Sequence, residues 1–332
     1  MPENPAVLRF ISEADTQEIL TWPDVIACLA TAYRTPEKAD ATPPRVVARG
    51  NKVWLRTLSA VPSSGRHMGV KIIARSRLLR ASYLIPLWDQ ETAELVAVLD
   101  GKHITAMRTA GTSAVAVECL MPARSARVAV LGTGSEASAH VSAISAVRKF
   151  DSLAVYSPTP GNREAFAERY SAQLGIRCAA VAAAEQAVAG ADLIIAAARS
   201  RDETPILRGA WLKPGVTIVS IGSTMPEQRE IDSEVVRRAD AIVVDVAEEV
   251  VHETGDMLAA RAEGVAFDDK IIELADLVQG KAPGRRSPRD IVMFKSVGSG
   301  LQDIAVAQMC FEKACHLNRG TVLPVGLTVK GK

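Results

Sequence analysis

The segment Val128-Ala129-Val130-Leu131-Gly132-Thr133-Gly134-Ser135-Glu136-Ala137 constrains the fold of this chain more than any other. An apolar run ends there on Gly-x-Gly-x-x-Ala, and an alanine-rich stretch with helical spacing follows. The pattern predicts a strand, a tight turn and the start of a helix. Gly132 permits the turn, Gly134 lets the backbone approach a pyrophosphate, and Ala137 allows close packing of helix on strand. The helix N-terminus adds free N–H groups and the positive end of a dipole. A dinucleotide is the expected ligand.

The sequence around this turn has the texture of a parallel sheet. Arg127–Leu131, Leu153–Tyr156, Leu193–Ala197, Thr217–Ile221 and Ala241–Val244 are short runs rich in Val, Ile and Ala, and most are separated by alanine-rich helical segments. Strands buried on both faces read this way, and their alternation with helices implies right-handed βαβ units. A polar stretch, Gly280–Arg289, precedes one more strand at Ile291–Phe294 and a helix beginning near Gln302.

The first third of the chain reads differently. Thr21 and Pro23 open a helix over residues 21–35, with Val25, Ile26, Leu29 and Tyr33 on one face. After Pro43-Pro44 come the apolar runs Val53–Leu55, Val70–Ile73, Tyr83–Trp88 and Leu95–Leu99, with turns at Ser63-Ser64-Gly65 and Asp89–Thr92. These predict a mostly antiparallel meander, followed by a helix over 103–120. With 332 residues, the chain exceeds the ~100–200 of a typical single domain. The fold class expected is α/β: a Rossmann-type doubly wound parallel sheet plus a smaller α+β substrate and dimerisation domain. The boundaries expected are 1–121 for the smaller domain and 122–301 for the dinucleotide-binding one, with a C-terminal helix, 302–332, packing back on the first. Apolar strands between Val53 and Leu99 exceed what so small a sheet covers alone, which predicts a homodimer.

Composition excludes several classes. Lys plus Arg number 39 against 38 Asp plus Glu, a net charge of +1, which gives no electrostatic case for nucleic acid or an anionic membrane. No apolar stretch approaches a membrane span. Met1-Pro2-Glu3-Asn4-Pro5 lacks the pattern of a signal peptide, so a cytoplasmic location is expected. Cys28, Cys119, Cys178, Cys310 and Cys315 form no CxxC pair and read as reduced, mostly buried thiols. His67, His103, His140, His252 and His316 show no His-x-x-x-His spacing, so no metal site is expected.

The choice of nicotinamide cofactor turns on the end of the second parallel strand, Tyr156-Ser157-Pro158-Thr159-Pro160-Gly161-Asn162-Arg163. There is no acid there to bond a ribose 2′-hydroxyl, whereas Ser157, Thr159 and Arg163 suit a 2′-phosphate. NADP(H) is therefore favoured, with NAD(H) possible; alternatively, Arg163 simply begins a solvated helix face.

A second set of motifs runs in order along the chain: Pro43-Pro44-Arg45, Gly69-Val70-Lys71, Asp100–Ala110 with Arg108, Ile221–Pro226 leading to Arg229-Glu230-Ile231-Asp232, Phe294–Gly298, and Gln302-Asp303. Together with Gly132–Ala137 they resemble the ornithine cyclodeaminase/μ-crystallin family, from about residue 43 to 315. The resemblance implies that Arg45, Lys71 and Arg108 hold a substrate carboxylate, with Arg108 also beside the nicotinamide; from the chemistry of the reaction, Lys71 is the expected catalytic residue, with the proton delivered by Lys71 or a bound water. It places Ser135 and Glu136 by the pyrophosphate, Ala197 and Ile221 by the adenosine or nicotinamide ribose, and Ser296 and Val297 by the nicotinamide. Glu136 departs from the family's Gln. Thr224, counted with the substrate residues, stands where cyclodeaminases of the family carry an Asp, and a hydroxyl only hydrogen bonds at neutral pH.

From Val70 and Ile72, alternation sets Lys71 opposite an apolar face, toward solvent or a cleft. Asp303 reads equally as a helix N-terminal charge or as part of the chemistry. Arg75, Arg77 and Arg80 read as a solvated edge or loop, or as a source of one cation for a second substrate carboxylate, and Glu91 and Glu94 as hairpin surface. The expected activity is NAD(P)H-dependent reduction of a small imino acid, linear or cyclic, to an α-amino acid. The alternatives are an ornithine-type cyclodeaminase with bound NAD, and a μ-crystallin-like NADPH-dependent binding protein without turnover.

Overall fold

The computed structural model describes residues 8–324 together with Leu327 and Val329. The segment Met1–Pro5, read above for a signal peptide, lies outside the described residues. Two compact units emerge, one of residues 1–109 with 299–332 and one of 110–298.

The first unit opens with β1 (Arg9–Ile11), α1 (Glu13–Ile19) and α2 (Trp22–Arg34). Ser12 and Asp15 cap α1 reciprocally: the Ser12 Oγ accepts the Asp15 N–H at 3.2 Å, and the Asp15 carboxylate accepts the Ser12 N–H at 3.0 Å. Thr21 caps α2, with Pro23 in its first turn. The meander follows as β2 (Val46–Gly50), β3 (Val53–Ala60), β4 (His67–Arg75), β5 (Ala81–Asp89) and β6 (Leu95–Asp100), all antiparallel, while β1 joins β6 in parallel. The next helix, α3 (Gly101–Leu120), spans the division between the units, which falls at residue 109 rather than near 122.

The second unit contains β7 (Ala126–Leu131), α4 (Ser135–Ser145), β8 (Phe150–Tyr156), α5 (Pro160–Leu174), β9 (Arg177–Val181) and α6 (Ala184–Val188). Then come β10 (Leu193–Ala196), β11 (Thr217–Ser220), α7 (Ser233–Arg238), β12 (Ala241–Val244), α8 (Ala247–Glu253) and α9 (Gly255–Ala262). It closes with β13 (Ile271–Glu273), α10 (Leu274–Val278) and β14 (Val292–Lys295). All eight strands pair in parallel, in the order β13-β12-β14-β11-β10-β7-β8-β9. Every residue of β10, β11, β12 and β14 is buried, which accounts for their largely apolar sequences. Two strands add to the six read from the sequence. β9 is partly exposed and overlaps the alanine tract 179–184, and β13 is three residues long, so neither leaves a buried apolar run. Strand order reverses between β7 and β10, and the turn Gly132–Gly134 follows β7 at that switch point.

The chain then re-enters the first unit as α11 (Gly300–His316) and β15 (Thr321–Val322), which pairs with β1. The helix expected over 302–332 is shorter, running from Gly300 to His316. It packs on α1, α2 and the meander strands β3, β4 and β5. This corrects the orientation expected of Lys71. His67, Gly69, Lys71 and Ile73 form the buried face of β4, and Met68, Val70 and Ile72 the half-buried one. Both faces are largely apolar, so alternation alone did not show which one α11 covers. The other face carries exposed Val46, Leu55 and Leu84. Of the five cysteines only Cys310 is buried, against the expectation of mostly buried thiols; Cys119 and Cys315 lie on exposed helix positions, and none is in a disulfide.

Candidate active site

In the first unit the sheet and α11 bring three ionic side chains together. Lys71, 1% exposed, extends from β4 to Asp303 in the first turns of α11, with Nζ 2.8 Å from Oδ1 and 2.7 Å from Oδ2. Arg108 of α3 lies with its Nε 2.9 Å from Asp303 Oδ1 and donates from its guanidinium to Gln302 Oε1 at 2.8 Å. The Gln302 amide in turn donates to the Tyr33 hydroxyl at 2.7 Å. Two cations thus share one fully buried carboxylate, leaving one positive charge in excess. Burial pulls the Lys71 ammonium from 10.5 down to about 7; Arg108 and Arg56 act in the same direction, and Asp303 opposes them. An ammonium poised near neutrality suits a group that gives up a proton in a reaction.

Asp303, which the sequence left between two readings, is the centre of this cluster. Arg45, immediately before β2, is 8% exposed. Arg75 is partly exposed, and Arg77 and Arg80 lie at the exposed tip of the β4–β5 hairpin. Glu91 is exposed and Glu94 half-buried.

In the second unit, Gly132 has φ +115°, and a Cβ there would fall 2.8 Å from the Ala197 carbonyl oxygen, so only glycine fits the turn. Gly134 is the N-cap of α4, where no side chain caps the helix, and apart from its immediate chain neighbours no heavy atom lies within 4 Å of a Cβ placed there. The space at this helix N-terminus is open, and a side chain at position 134 would occupy room that a pyrophosphate can use. Ser135 and Glu136 occupy the first turn, and Ala137 is buried against the sheet. Glu136 lies 3.9 Å from His140, one turn along.

At the end of β8, Ser157 is buried and Thr159 is the N-cap of α5, its carbonyl accepting the Asn162 and Arg163 N–H groups while its side chain makes no cap hydrogen bond. Arg163 folds back to donate to the Ser157 carbonyl at 2.9 Å. Ala197 and Ile221 immediately follow β10 and β11. Beyond β14, Asp245 fixes the loop: it accepts from Ser296 Oγ at 2.6 Å, Val297 N at 3.0 Å and Gly298 N at 2.8 Å. Thr224 sits in a turn in which its N–H and hydroxyl meet Gln228 Oε1 at 2.9 and 3.2 Å.

The sequence reading missed Asp245 and the buried Asp256, and it named the buried Glu230 and Lys295 only within motifs, with no role in the site. Lys295 closing an apolar strand and Asp245 directly after another were the signals available. Among the described residues no group of His, Cys, Asp and Glu could hold a metal ion, and no helix is long and apolar enough to cross a membrane.

These features define a class: a nicotinamide-dinucleotide fold joined to a sheet unit with a buried cationic site. The ornithine cyclodeaminase/mu-crystallin family model matches residues 8–318, and the chain belongs to that family. It is 31% identical over 276 residues to a Delta(1)-pyrroline-2-carboxylate reductase of Bacillus cereus, covering 82% of this chain and 81% of the relative. It is 33% identical over 226 residues to the ketimine reductase mu-crystallin of Mus musculus, covering 68% and 67%. The structure of Thermococcus litoralis Delta(1)-pyrroline-2-carboxylate reductase in complex with NADH and L-proline superposes with a TM-score of 0.87 at 30% identity, covering 94% of this chain and 99% of that one.

Proposed function

We propose that the chain is an NAD(P)H-dependent imine reductase that converts a small imino acid, linear or cyclic, to the α-amino acid. The observation that carries this reading is Lys71, buried, held by Asp303 beside Arg108 and brought to about 7. The named activities of the relatives, reduction of Delta(1)-pyrroline-2-carboxylate and of ketimines, agree with it.

Arg45, Lys71 and Arg108 hold the substrate carboxylate and thereby orient the imine carbon. The cofactor, when bound, supplies the hydride. Lys71 in its ammonium form favours electron flow toward the imine nitrogen and gives it a proton, directly or through a water. Gly132, Gly134, Ser135, Glu136 and Ala137 form the pyrophosphate turn. Ala197 and Ile221 lie at the riboses, and Ser296 and Val297 at the nicotinamide.

NADP(H) is the preferred form: Ser157, Thr159 and Arg163 gather at the end of β8 with no acid among them. The exposed apolar face of the meander, with Val46, Leu55 and Leu84, is covered by a second copy of the chain. The cytosol is the fitting compartment for five cysteines outside disulfides.

Thr224 argues against cyclodeamination, because its hydroxyl cannot carry the charge or proton a carboxylate would. Two assays decide: NAD(P)H oxidation with Delta(1)-pyrroline-2-carboxylate or with pyruvate plus an amine, and ammonia release from L-ornithine with NAD. Imine reduction without ammonia release is expected. Proline and ammonia from ornithine with no imine reduction would overturn the reading, as would NADPH binding without turnover on any imine.

A further inference from the structure

The second unit buries two carboxylates and an ammonium, Glu230, Asp256 and Lys295, for which the proposed reaction has no use. Glu230 Oε1 accepts the Ala198 N–H at 3.2 Å, while Oε2 accepts the Gly222 N–H at 3.0 Å and the Ser220 hydroxyl at 2.7 Å. Ala198 directly follows Ala197 at the end of β10, and Gly222 directly follows Ile221 at the end of β11. One carboxylate therefore ties together the two strand ends assigned to the cofactor riboses.

Its own backbone is held in turn. Asp256 Oδ1 accepts the N–H groups of Glu230 at 2.8 Å and Ile231 at 3.2 Å. Lys295 donates to Asp256 Oδ2 at 2.8 Å and to Ser220 Oγ at 3.3 Å, and Arg229 Nε lies 3.5 Å from Asp256 Oδ1. Gly222 fits the same arrangement, since a Cβ there would lie 2.3 Å from Glu230 Oε1.

We propose that Glu230 is a positioning residue for the nicotinamide cofactor, its carboxylate clamping the loop after β10 to the loop after β11 at the spacing the riboses require. The inference rests on the cofactor reading above. Packing alone does not explain the cluster, because apolar residues of similar volume would fill the space without the desolvation cost of buried charge. A carboxylate is required because both of its oxygens accept. A glutamine offers one accepting oxygen and turns its NH₂ toward another donor. Protonation has a related effect, replacing one acceptor with an O–H. Burial pushes the Glu230 carboxyl up to about 7, with Lys295 opposing and Asp256 reinforcing the rise. The charged groups facing it are Lys295 of β14 and Asp256 of α9, with Arg229 beside Asp256.

The test is Glu230→Gln in the full chain, with NADH affinity read by fluorescence titration. NADH is the probe because it has no 2′-phosphate to titrate. The clamp predicts NADH binding at least ~10-fold weaker, a raised KM for cofactor with the imine KM little changed, and a cofactor-free melting midpoint within a few degrees of the parent. In the parent, NADH affinity should weaken as pH falls from about 8 to about 6, and in the variant it should be flat.

NADH affinity in Glu230→Gln within ~2-fold of the parent would overturn the clamp. So would a pH-independent affinity in the parent, a measurement that stands even if the variant fails to fold. A parent that binds neither NADH nor NADPH at any pH would instead overturn the cofactor reading, and the clamp with it.

Discussion

Replacing Asp303 with asparagine tests whether the Lys71 ammonium drives the chemistry. Both Lys71 and Arg108 rest on the Asp303 carboxylate at 2.7–2.9 Å, and no side chain in the cluster is more than 8% exposed. Burial and Arg108 hold Lys71 at about 7, and the Asp303 charge is what keeps it from falling further. An opposite charge this close is worth ~1–3 pKa units, so Lys71 should titrate lower still in Asp303→Asn. At ~1.4 kcal/mol per unit, kcat/KM just above neutrality should drop ~10–10³-fold. The proposed reaction needs the ammonium, so the rate should fall as pH rises through the Lys71 pKa; the variant should show the same limb displaced to lower pH. Asparagine keeps the shape, although loss of the buried pair costs ~3–5 kcal/mol of stability unless Lys71 sheds its proton. Folding is therefore checked by circular dichroism alongside pH–rate profiles for imine reduction. Superimposable limbs, with only a lower amplitude in the variant, would show that Lys71 is not the group titrating in the reaction.

Lys71→Met should change how stability depends on pH. Lys71 titrates lower folded than unfolded, so its contribution to stability rises between about 7 and 10.5 and is lost as pH falls through about 7; denaturant melts of the parent and the variant should diverge in the parent's favour across that window. Gly132→Ala should cost ~1–3 kcal/mol in the same melts, because φ is +115° and the Ala197 carbonyl is in the way, whereas Gly134→Asp should leave the melts unchanged and abolish dinucleotide binding. NADPH should bind ~10-fold more tightly than NADH, and Arg163→Ala should erase most of the difference in titrations. Sedimentation should give a dimer of the 35.4 kDa chain, and Leu55→Glu on the exposed sheet face should yield monomer.

Much of the second unit was legible because a doubly covered parallel sheet leaves long apolar runs and its Gly132–Ala137 turn has few alternatives. The first unit was harder to read at Lys71. Which face of β4 is covered depends on α11, more than two hundred residues further along the chain, and no local pattern encodes that contact. The same distance hid the role of Asp303. Its position near a helix start explained the charge adequately until β4 and α3 were seen to deliver two cations to it. Glu230 was visible only as part of a motif, since its function depends on backbone N–H groups of Ala198 and Gly222 that have no side-chain signature.

Tracing the hydride is the most direct test of the account. Delta(1)-pyrroline-2-carboxylate would be incubated with the protein and NADPH deuterated at the transferable position of the nicotinamide, and the product analysed by mass spectrometry and NMR. The account predicts proline carrying one deuterium at its α-carbon, formed in step with cofactor oxidation and lost in Lys71→Met even at saturating cofactor. Proline without deuterium, or cofactor bound but never oxidised in the presence of this and other imines, would contradict it.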